Sequence, residues 1–398
     1  MIRFKIKGKK IMKVNYLELT DIGGIPYFEY QKFNPQMNII CGENGVGKTN
    51  ILDAISFIFS TNDDNVINKR AGSNKGKIVF GVDSFNDAIY VNVEDFEPSK
   101  YTRNRYHTSY DIDRSQLIYL KVNRVFSYFY QDSIGFVGDV DSRTNFHTKG
   151  VDNKDLKEWF VHRVLLGNTP DALSESELEN IKMAMQCFSV LDKNIEFKTV
   201  TKTNEIIVST HTGDIYFEYL SSGFKSTLFI LLGIIKELDY RFLDKHICYV
   251  DFNGIILIDE IELHLHPEWQ GKICSILKKI FPNAQFLLTT HSPHVIQSAL
   301  QDEVIALERK NNKVAIRDLP TSEYGYQGWT IEEILEDVMG MVDLRTRTYK
   351  KIKAKFDKAL DEMDKVTAQS AYCELDRMLH PQYPLRPVFK MQLESLGV

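Results

Sequence analysis

The octapeptide from Gly42 to Thr49, Gly-Glu-Asn-Gly-Val-Gly-Lys-Thr, constrains this chain more than any other feature. It follows the spacing Gly-x-x-x-x-Gly-Lys-Thr, and it lies between a short apolar run, 37–41, and a helix-like segment, 50–59. Glycines at these positions let backbone N–H groups surround a phosphate, and the N-terminus of the following helix adds a positive dipole. A glycine-rich turn can match this spacing by chance, but the strand before it and the helix after it favour a phosphate-binding loop.

The loop therefore predicts a site for ATP and Mg²⁺. We expect the Lys48 ammonium to reach the β- and γ-phosphates and to act in catalysis, and we expect the Thr49 hydroxyl to bind the metal ion. The residues predicted to contact the nucleotide in this region are Gly42, Asn44, Gly45, Val46, Gly47, Lys48, Thr49 and Asn50.

A second apolar run, 255–258, ends in two carboxylates, Asp259 and Glu260. This arrangement predicts a Walker B strand, in which Asp259 binds Mg²⁺ and Glu260 polarises the water that attacks ATP. An apolar strand that ends in acidic residues is common, so this motif alone would be a weak indication. The presence of the phosphate-binding loop makes the prediction specific. Together the two motifs predict an enzyme that converts ATP and water to ADP and phosphate.

The segment 220–224, Leu-Ser-Ser-Gly-Phe, lies between these two motifs and just before a predicted helix. It resembles the Leu-Ser-Gly-Gly-Gln signature of ABC-type ATPases, in which the serine and glycine contact the γ-phosphate bound to the opposite subunit. The resemblance implies nucleotide contacts by Ser221, Ser222 and Gly223. Ser222 replaces the first glycine of the signature, and Phe224 replaces the glutamine. The alternative is an ordinary helix N-cap, which could have the same Ser-Ser-Gly sequence.

His291 follows the apolar run 285–290. In ABC-type ATPases a histidine at this point contacts the γ-phosphate, so the resemblance implies a catalytic role for His291. The alternative is a polar residue that caps the helix beginning near Pro293. A metal site formed by the histidines of this region is a further alternative, but they lack the spacing of metal ligands. These histidines are His264, His266, His291 and His294. His266 stands where the family usually has aspartate.

The resemblance implies one more metal ligand. ABC-type ATPases complete Mg²⁺ binding with a glutamine, and Gln131, in Tyr-Phe-Tyr-Gln-Asp, is the candidate. A loop glutamine without this role fits the same letters. The predicted metal ligands are therefore Thr49, Asp259 and Gln131.

The wider sequence resembles a compact group of ABC-type, SMC-like ATPases. The segments 12–19, 38–45 and 259–267 are similar to those of overcoming-lysogenization-defect-like, Septu-like and retron-associated ATPases. The interval between Lys48 and Ser221 is longer than in transporter domains and lacks the heptads of long coiled coils. The residues after the predicted switch histidine contain no Asp-x-Asp, so no TOPRIM nuclease domain is expected.

This resemblance implies an α/β fold: a P-loop NTPase of the ABC ATPase type with an antiparallel β subdomain, a helical lobe and a C-terminal helical region, and without a long coiled coil. We predict four segments: 1–139 with the phosphate-binding loop and β subdomain, 140–192 as the helical lobe, 193–320 with the signature, Walker B strand and switch histidine, and 321–398 as a helical region that binds a partner.

Composition excludes several classes of protein. Hydrophobic residues make up 43% and charged residues 26% of the chain, as in ordinary globular proteins. The net charge of −5 excludes a strongly basic nucleic-acid coat, and no apolar run is long enough for a membrane helix. Five scattered cysteines predict buried, reduced thiols in the cytoplasm. Basic residues cluster at 1–13 and 345–355, where they form either solvated surfaces or phosphate-binding patches.

The resemblance implies a bacterial, cytoplasmic ATPase subunit of an anti-phage defence system. ATP is expected to join two heads into a dimer or a higher oligomer, slow hydrolysis to release them, and the assembly to regulate an operon-encoded effector nuclease, of the HNH type in Septu-like systems. Two alternatives stay open from the sequence. One is a DNA repair or recombination ATPase that acts directly on DNA, and the other is a nucleotide-binding scaffold with little turnover.

Overall fold

The chain divides into two compact units, Met1–Gly340 and Met341–Val398. Gln131 and most of the basic run 1–13 lie outside the described residues. The computed structural model describes residues 12–59, 67–85, 87–94, 112–122, 153–242, 246–320, 323–341 and 344–397.

A six-stranded sheet forms the centre of the first unit. Its strands are parallel except for an antiparallel hairpin at one edge. Both faces of the sheet are covered, so the inner strands are almost continuously apolar. In spatial order the strands are β13 (Lys313–Ile316), β12 (Val304–Lys310), β3 (Met37–Gly42), β11 (Gln285–Thr289), β10 (Ile255–Ile258) and β6 (Leu117–Leu120).

The parallel pairing decides where the predicted site lies. β3 pairs with β11 and β12 on its two sides, and β10 pairs with the far side of β11. Since these strands run in one direction, their carboxyl ends meet at one edge of the sheet, where ligands of such sheets bind. The phosphate-binding loop follows β3 at this edge and leads into α1 (Lys48–Phe59).

An antiparallel sheet covers the face of the central sheet that packs against α1. Leu17 and Phe80 of this sheet share a hydrophobic cluster with Ile55 of α1 and Leu257 of β10. It is the antiparallel β subdomain that the sequence predicts. In spatial order its strands are β2 (Ile25–Tyr30), β1 (Val14–Ile22), β4 (Gly76–Val82) and β5 (Ile89–Val93).

Helices and a small antiparallel sheet cover the opposite face of the central sheet. Trp159, Phe188 and Leu228 from these helices pack in one cluster with Ile256 and Phe286 of the central strands. The longest helix in the described part of the chain has 20 residues, so the predicted absence of a long coiled coil is confirmed there. The covering elements are α2 (Asn153–Leu166), α3 (Glu175–Leu191), α4 (Ser222–Arg241), β7 (Glu196–Val200), β8 (Ile206–Thr210) and β9 (Gly213–Tyr216).

Short helices connect the last strands of the first unit. The helical segment after the Walker B strand forms in two pieces, since the first piece ends at Gln270 and is capped by Gly271. Among the described helices of the chain, none combines the length and the apolar character that a membrane span requires. The short helices are α5 (Pro267–Gln270), α6 (Ile273–Ile280), α7 (Pro293–Gln297) and α8 (Ile331–Glu333), which continues as the π-helical turn Ile334–Val338.

The second unit consists of α9 (Arg347–Asp361), α10 (Lys365–Met378) and α11 (Arg386–Glu394). Phe356 and Phe389 pack edge to face in its small core, with their ring centroids 6.0 Å apart. This unit begins at Met341, within the predicted segment 321–398, and the division into four segments stays a prediction.

The five cysteines are free, as predicted, but not all of them are buried. Cys41, Cys187 and Cys274 lie in the core, and burial raises the pKa of each thiol to about 12. Cys373 lies on the exposed side of α10 and Cys248 is half-buried, so the prediction of burial is wrong for these two.

A buried polar network joins the helices of the first unit. Arg163 of α2 lies 3.1 Å from Asp239 of α4 and 3.0 Å from Glu177 of α3. The indole N–H of Trp159 and the amide N–H of Asn180 donate to the two oxygens of Asp239 at 3.0 and 2.8 Å. Burial raises the pKa of Asp239, an effect that Arg163 and these two donors oppose. The aspartate therefore connects all three helices.

We expect the Asp239→Leu substitution to lower the free energy of unfolding by about 3–5 kcal/mol, because it removes one of the two carboxylates that pair with the buried Arg163 guanidinium and the acceptor of two buried N–H donors. Asp239→Asn should cost less, since it keeps the shape and part of the hydrogen bonding. Urea denaturation measures both. The control is Glu179→Ala, which removes an exposed pair with Lys182 and should change stability by less than about 1 kcal/mol. Equal losses at the two sites would contradict the role of the network.

Candidate functional site

The phosphate-binding loop adopts a backbone that its glycines permit. Gly42 and Gly47 have φ angles of +131° and +115°, which residues with a side chain rarely adopt. A Cβ atom at Gly42 would lie 2.2 Å from the Leu307 carbonyl oxygen, and one at Gly47 would lie 2.7 Å from the Ile25 side chain. Conformation and space both require glycine at these two positions.

The remaining loop residues differ in what they offer a nucleotide. Asn44 is exposed and free to contact a ligand. The Val46 side chain is buried in the hydrophobic core, so only its backbone N–H is suited to binding a phosphate. Asn50 lies beside the turn between β1 and β2, where a Cβ atom at Gly23 would lie 2.0 Å from its amide nitrogen.

Lys48 lies at the start of α1 and points back into the loop. Its Nζ donates to the carbonyl oxygens of Gly42 and Glu43 at 2.9 and 3.0 Å. Burial lowers the pKa of Lys48, while the nearby carboxylates of Asp259 and Glu260 favour the charged form. The ammonium is thus held inside the loop, and its contact with a phosphate stays a prediction.

Thr49 and Asp259 come together from different parts of the chain. The Thr49 hydroxyl donates to the Asp259 carboxylate, with distances of 3.1 and 3.2 Å to its two oxygens. Thr289, the last residue of β11, donates a second hydroxyl to the same carboxylate. A hydroxyl and a carboxylate are the oxygen ligands that Mg²⁺ prefers, and this ion takes its other ligands from water and phosphate. The donor set fits Mg²⁺.

Glu260 follows Asp259 in a left-handed backbone conformation, with φ of +48°. Its N–H donates to the Thr289 hydroxyl at 2.7 Å, which fixes this turn at the end of β10. Such a conformation is costly for a residue with a side chain and is frequent at functional sites. The half-buried Glu260 side chain lies within electrostatic reach of both Lys48 and His291.

His291 is brought to the same edge by a contact that sequence patterns did not predict. Its backbone N–H donates to one Glu262 oxygen at 2.6 Å, and the Thr290 hydroxyl donates to the other at 2.7 Å. Partial burial and the nearby Lys48 ammonium lower the pKa of His291, so its imidazole is neutral at pH 7. A neutral ring offers one donor and one acceptor to a ligand.

The predicted signature residues lie in a different place. Ser221 caps α4, since its hydroxyl accepts from the Phe224 N–H at 3.3 Å, and Ser222 is exposed. A cavity of about 1010 Å³ is lined by Ser221, Ser222, Gly223 and residues 264–269. Among the described residues that line it, none belongs to the phosphate-binding loop. The structure therefore does not place the signature against the loop of the same chain.

The histidines of this region do not form a metal site. His266 caps α5, because its Nδ1 accepts from the Glu268 N–H at 3.3 Å. In the described ranges there is no group of three or more His, Cys, Asp or Glu side chains that could hold a metal ion. Gln131, the third predicted Mg²⁺ ligand, lies outside these ranges, so its role stays a prediction.

Three residues of the site were missed by sequence reasoning. Thr289 and Glu262 act through contacts across strands, and Arg309, at the end of β12, donates to the Gly45 carbonyl oxygen of the loop. Thr289 alone carried a signal, since it is a polar residue at the end of an apolar strand. The other two are ordinary charged residues until the fold brings them to the loop.

Comparisons with known proteins show which proteins this chain is similar to. A Septu protein PtuA from Bacillus thuringiensis is 40% identical over 97% of this chain and 99% of that protein. A Septu protein PtuA from Bacillus mycoides is 25% identical over 72% of this chain and 39% of that protein. The Retron Ec83 probable ATPase of Escherichia coli is 28% identical over 42% of this chain and 30% of that protein.

The RecF/RecN/SMC N terminal domain family matches residues 27–315, which hold the phosphate-binding loop, the signature segment, the Walker B strand and His291. The first relative extends the match over nearly the whole length of both chains. The chain therefore belongs to the RecF/RecN/SMC family of P-loop ATPases and, within it, to the Septu PtuA proteins.

Proposed function

We propose that this protein binds and slowly hydrolyses ATP as the ATPase subunit of a bacterial anti-phage defence system. The observation that carries the proposal is the hydrogen bond between Thr49 and Asp259, which joins the phosphate-binding loop to the Walker B strand. Lys48, Glu260 and His291 surround the same sheet edge, so the groups that hydrolysis requires are assembled at one place.

Each residue has a distinct part in the proposed reaction. The loop N–H groups and Lys48 hold the phosphates. Thr49 and Asp259 would hold Mg²⁺, which would act as a Lewis acid when bound. Glu260 accepts a proton from the water whose oxygen bonds to the γ-phosphorus, while the bond to the β-phosphate oxygen breaks. Neutral His291 donates a hydrogen bond to the γ-phosphate.

The separate location of the signature supports a second part of the proposal. Ser221, Ser222 and Gly223 line a cavity to which the loop of the same chain does not contribute. We infer that they contact ATP held by a second copy of the chain, so that bound ATP joins two subunits and hydrolysis separates them. A two-fold dimer of this kind has two equivalent composite sites.

The relatives support the biological role. Two of them are named Septu PtuA and one is a retron ATPase, which places proteins similar to this chain in defence systems. We propose that the cytoplasmic ATPase assembly regulates an operon-encoded effector nuclease, of the HNH type, and that the helical segment 321–398 contributes to partner binding.

Glu260→Gln should lower the rate of ATP hydrolysis by about 100-fold or more, because the amide cannot accept the proton of the attacking water. ATP affinity should be retained, since the contacts of Lys48 and Thr49 are unchanged. Phosphate release and nucleotide binding are measured on the same preparation. Glu332→Gln, an exposed carboxylate on α8, is the control and should hydrolyse at the normal rate. Unchanged hydrolysis in Glu260→Gln would remove Glu260 from the mechanism.

Ser221→Arg and Glu260→Gln should each be inactive alone but should complement one another when mixed. In a mixed dimer, the loop and Glu260 of one chain face Ser221 of the other, so one of two composite sites is intact. With random pairing, about a quarter of the normal hydrolysis should return. Ser370→Arg, on the exposed side of α10, is the control for the introduced arginine and should be active by itself. Full activity of Ser221→Arg alone would reject the composite site.

Purification together with the operon neighbours should give a complex that contains a second polypeptide. Its mass, measured with and without ATP, shows whether the nucleotide changes the number of subunits. A chain that associates with no second polypeptide and forms dimers only with ATP would argue against the regulation of an effector, while leaving the ATPase assignment intact.

A further inference from the structure

The second unit carries a row of exposed cations on α9. Arg347, Lys351 and Lys355 follow one another at intervals of four residues, so their side chains lie on one side of the helix. Phe356 and Ala359, on the other side, are buried in the core of the unit. The row therefore faces solvent along about 12 Å of helix.

This row differs from two other exposed cations of the unit, which have carboxylate partners. Lys358 lies 3.7 Å from Glu362, and Lys390 lies 3.9 Å from Glu394, each one turn away on its own helix. For the three residues of the row, no carboxylate in the described ranges lies within ion-pair distance. Like charges one turn apart destabilise a helix, so an unneutralised row of three is a cost that an anionic ligand would relieve.

A fourth cation is held in place at the start of the same helix. The Arg345 guanidinium lies over the rings of Tyr349 and Tyr383, 5.6 and 5.3 Å from their centroids. It also donates to the Tyr383 hydroxyl at 3.2 Å. This stacking fixes the orientation of the guanidinium beside the N-terminus of α9, where the helix dipole is positive.

The net charge of the whole unit also favours an anionic ligand. Residues 341–398 contain eleven Lys and Arg and eight Asp and Glu, which gives +3, whereas the complete chain has a net charge of −5. The positive excess thus lies in this small unit, which contains the row. An acidic protein would need an apolar centre in its interface. Thr348 and Ala354, the exposed neighbours of the row, do not supply one.

We propose that this row, with Arg345, binds the phosphate backbone of double-stranded DNA. The duplex carries about one negative charge per 1.7 Å, a density that a row of long cationic side chains can neutralise. Contacts to phosphates carry no sequence information, so binding through the backbone should be independent of base sequence. The row belongs to the second unit, whereas the residues of the proposed ATP site belong to the first.

The test measures the affinity of the full-length chain for a fluorescent DNA duplex of arbitrary sequence, by anisotropy, between about 50 and 200 mM salt. The triple variant Arg347→Gln, Lys351→Gln, Lys355→Gln should bind about a hundredfold more weakly at about 100 mM salt. The slope of log affinity against log salt should decrease in magnitude by about 2.7, since each lost phosphate contact contributes about 0.9.

The matched control is the double variant Lys358→Gln, Lys390→Gln, which removes exposed cations that already have carboxylate partners. It should keep the affinity and the salt slope. All variants should stay folded, because the changed side chains lie outside the core. The triple variant should unfold at the same or a slightly higher temperature, since it removes like charges from one side of the helix. The proposal is overturned if the chain does not bind DNA at the lowest salt, or if the triple variant binds as tightly as the unmodified chain. It is also overturned if the triple variant keeps DNA but loses an associated polypeptide.

Discussion

The parallel pairing of β3, β11 and β10 is the constraint on which the rest of this structure depends. It places the ends of three strands, far apart in the sequence, side by side at one edge. There the Thr289 hydroxyl at the end of β11 bonds to Asp259 and accepts from the Glu260 N–H. Asp259 in turn accepts from Thr49 of the loop. A shift of one residue in either strand pair would turn these side chains to the opposite face and separate them.

Much of this edge could be predicted because its motifs are local. A glycine-rich loop of this spacing between an apolar strand and a helix predicts a phosphate-binding loop. An apolar strand that ends in two acidic residues predicts the Walker B strand beside it. The capping box of α3 is equally local, since the side chains of Ser174 and Glu177 accept from each other's backbone N–H groups. In these cases the residues that determine the structure are neighbours in the chain.

The parts that could not be predicted depend on contacts between distant segments. Arg309 reaches Gly45 only because β12 pairs with β3, and no pattern near Arg309 indicates that pairing. Glu262 holds the backbone of His291 from across the sheet edge. The burial of Asp239 depends likewise on three helices that meet in space. A charged residue is the same in the sequence whether it is solvated or buried. The sequence alone therefore does not show which charged residues are buried.

One departure of the signature from its family pattern, Phe224, has a physical explanation in the packing beneath it. Phe224, which stands where the family has glutamine, is buried edge to face against Trp269, with the centroids 5.5 Å apart. A Cβ atom at Gly223 would lie 2.9 Å from the His264 carbonyl oxygen, and the Ser226 hydroxyl donates to the Leu263 carbonyl oxygen. The segment that follows the Walker B carboxylates is therefore packed directly against the start of α4. In the proposed dimer, a movement of that segment on ATP hydrolysis would therefore shift the signature that contacts the second subunit.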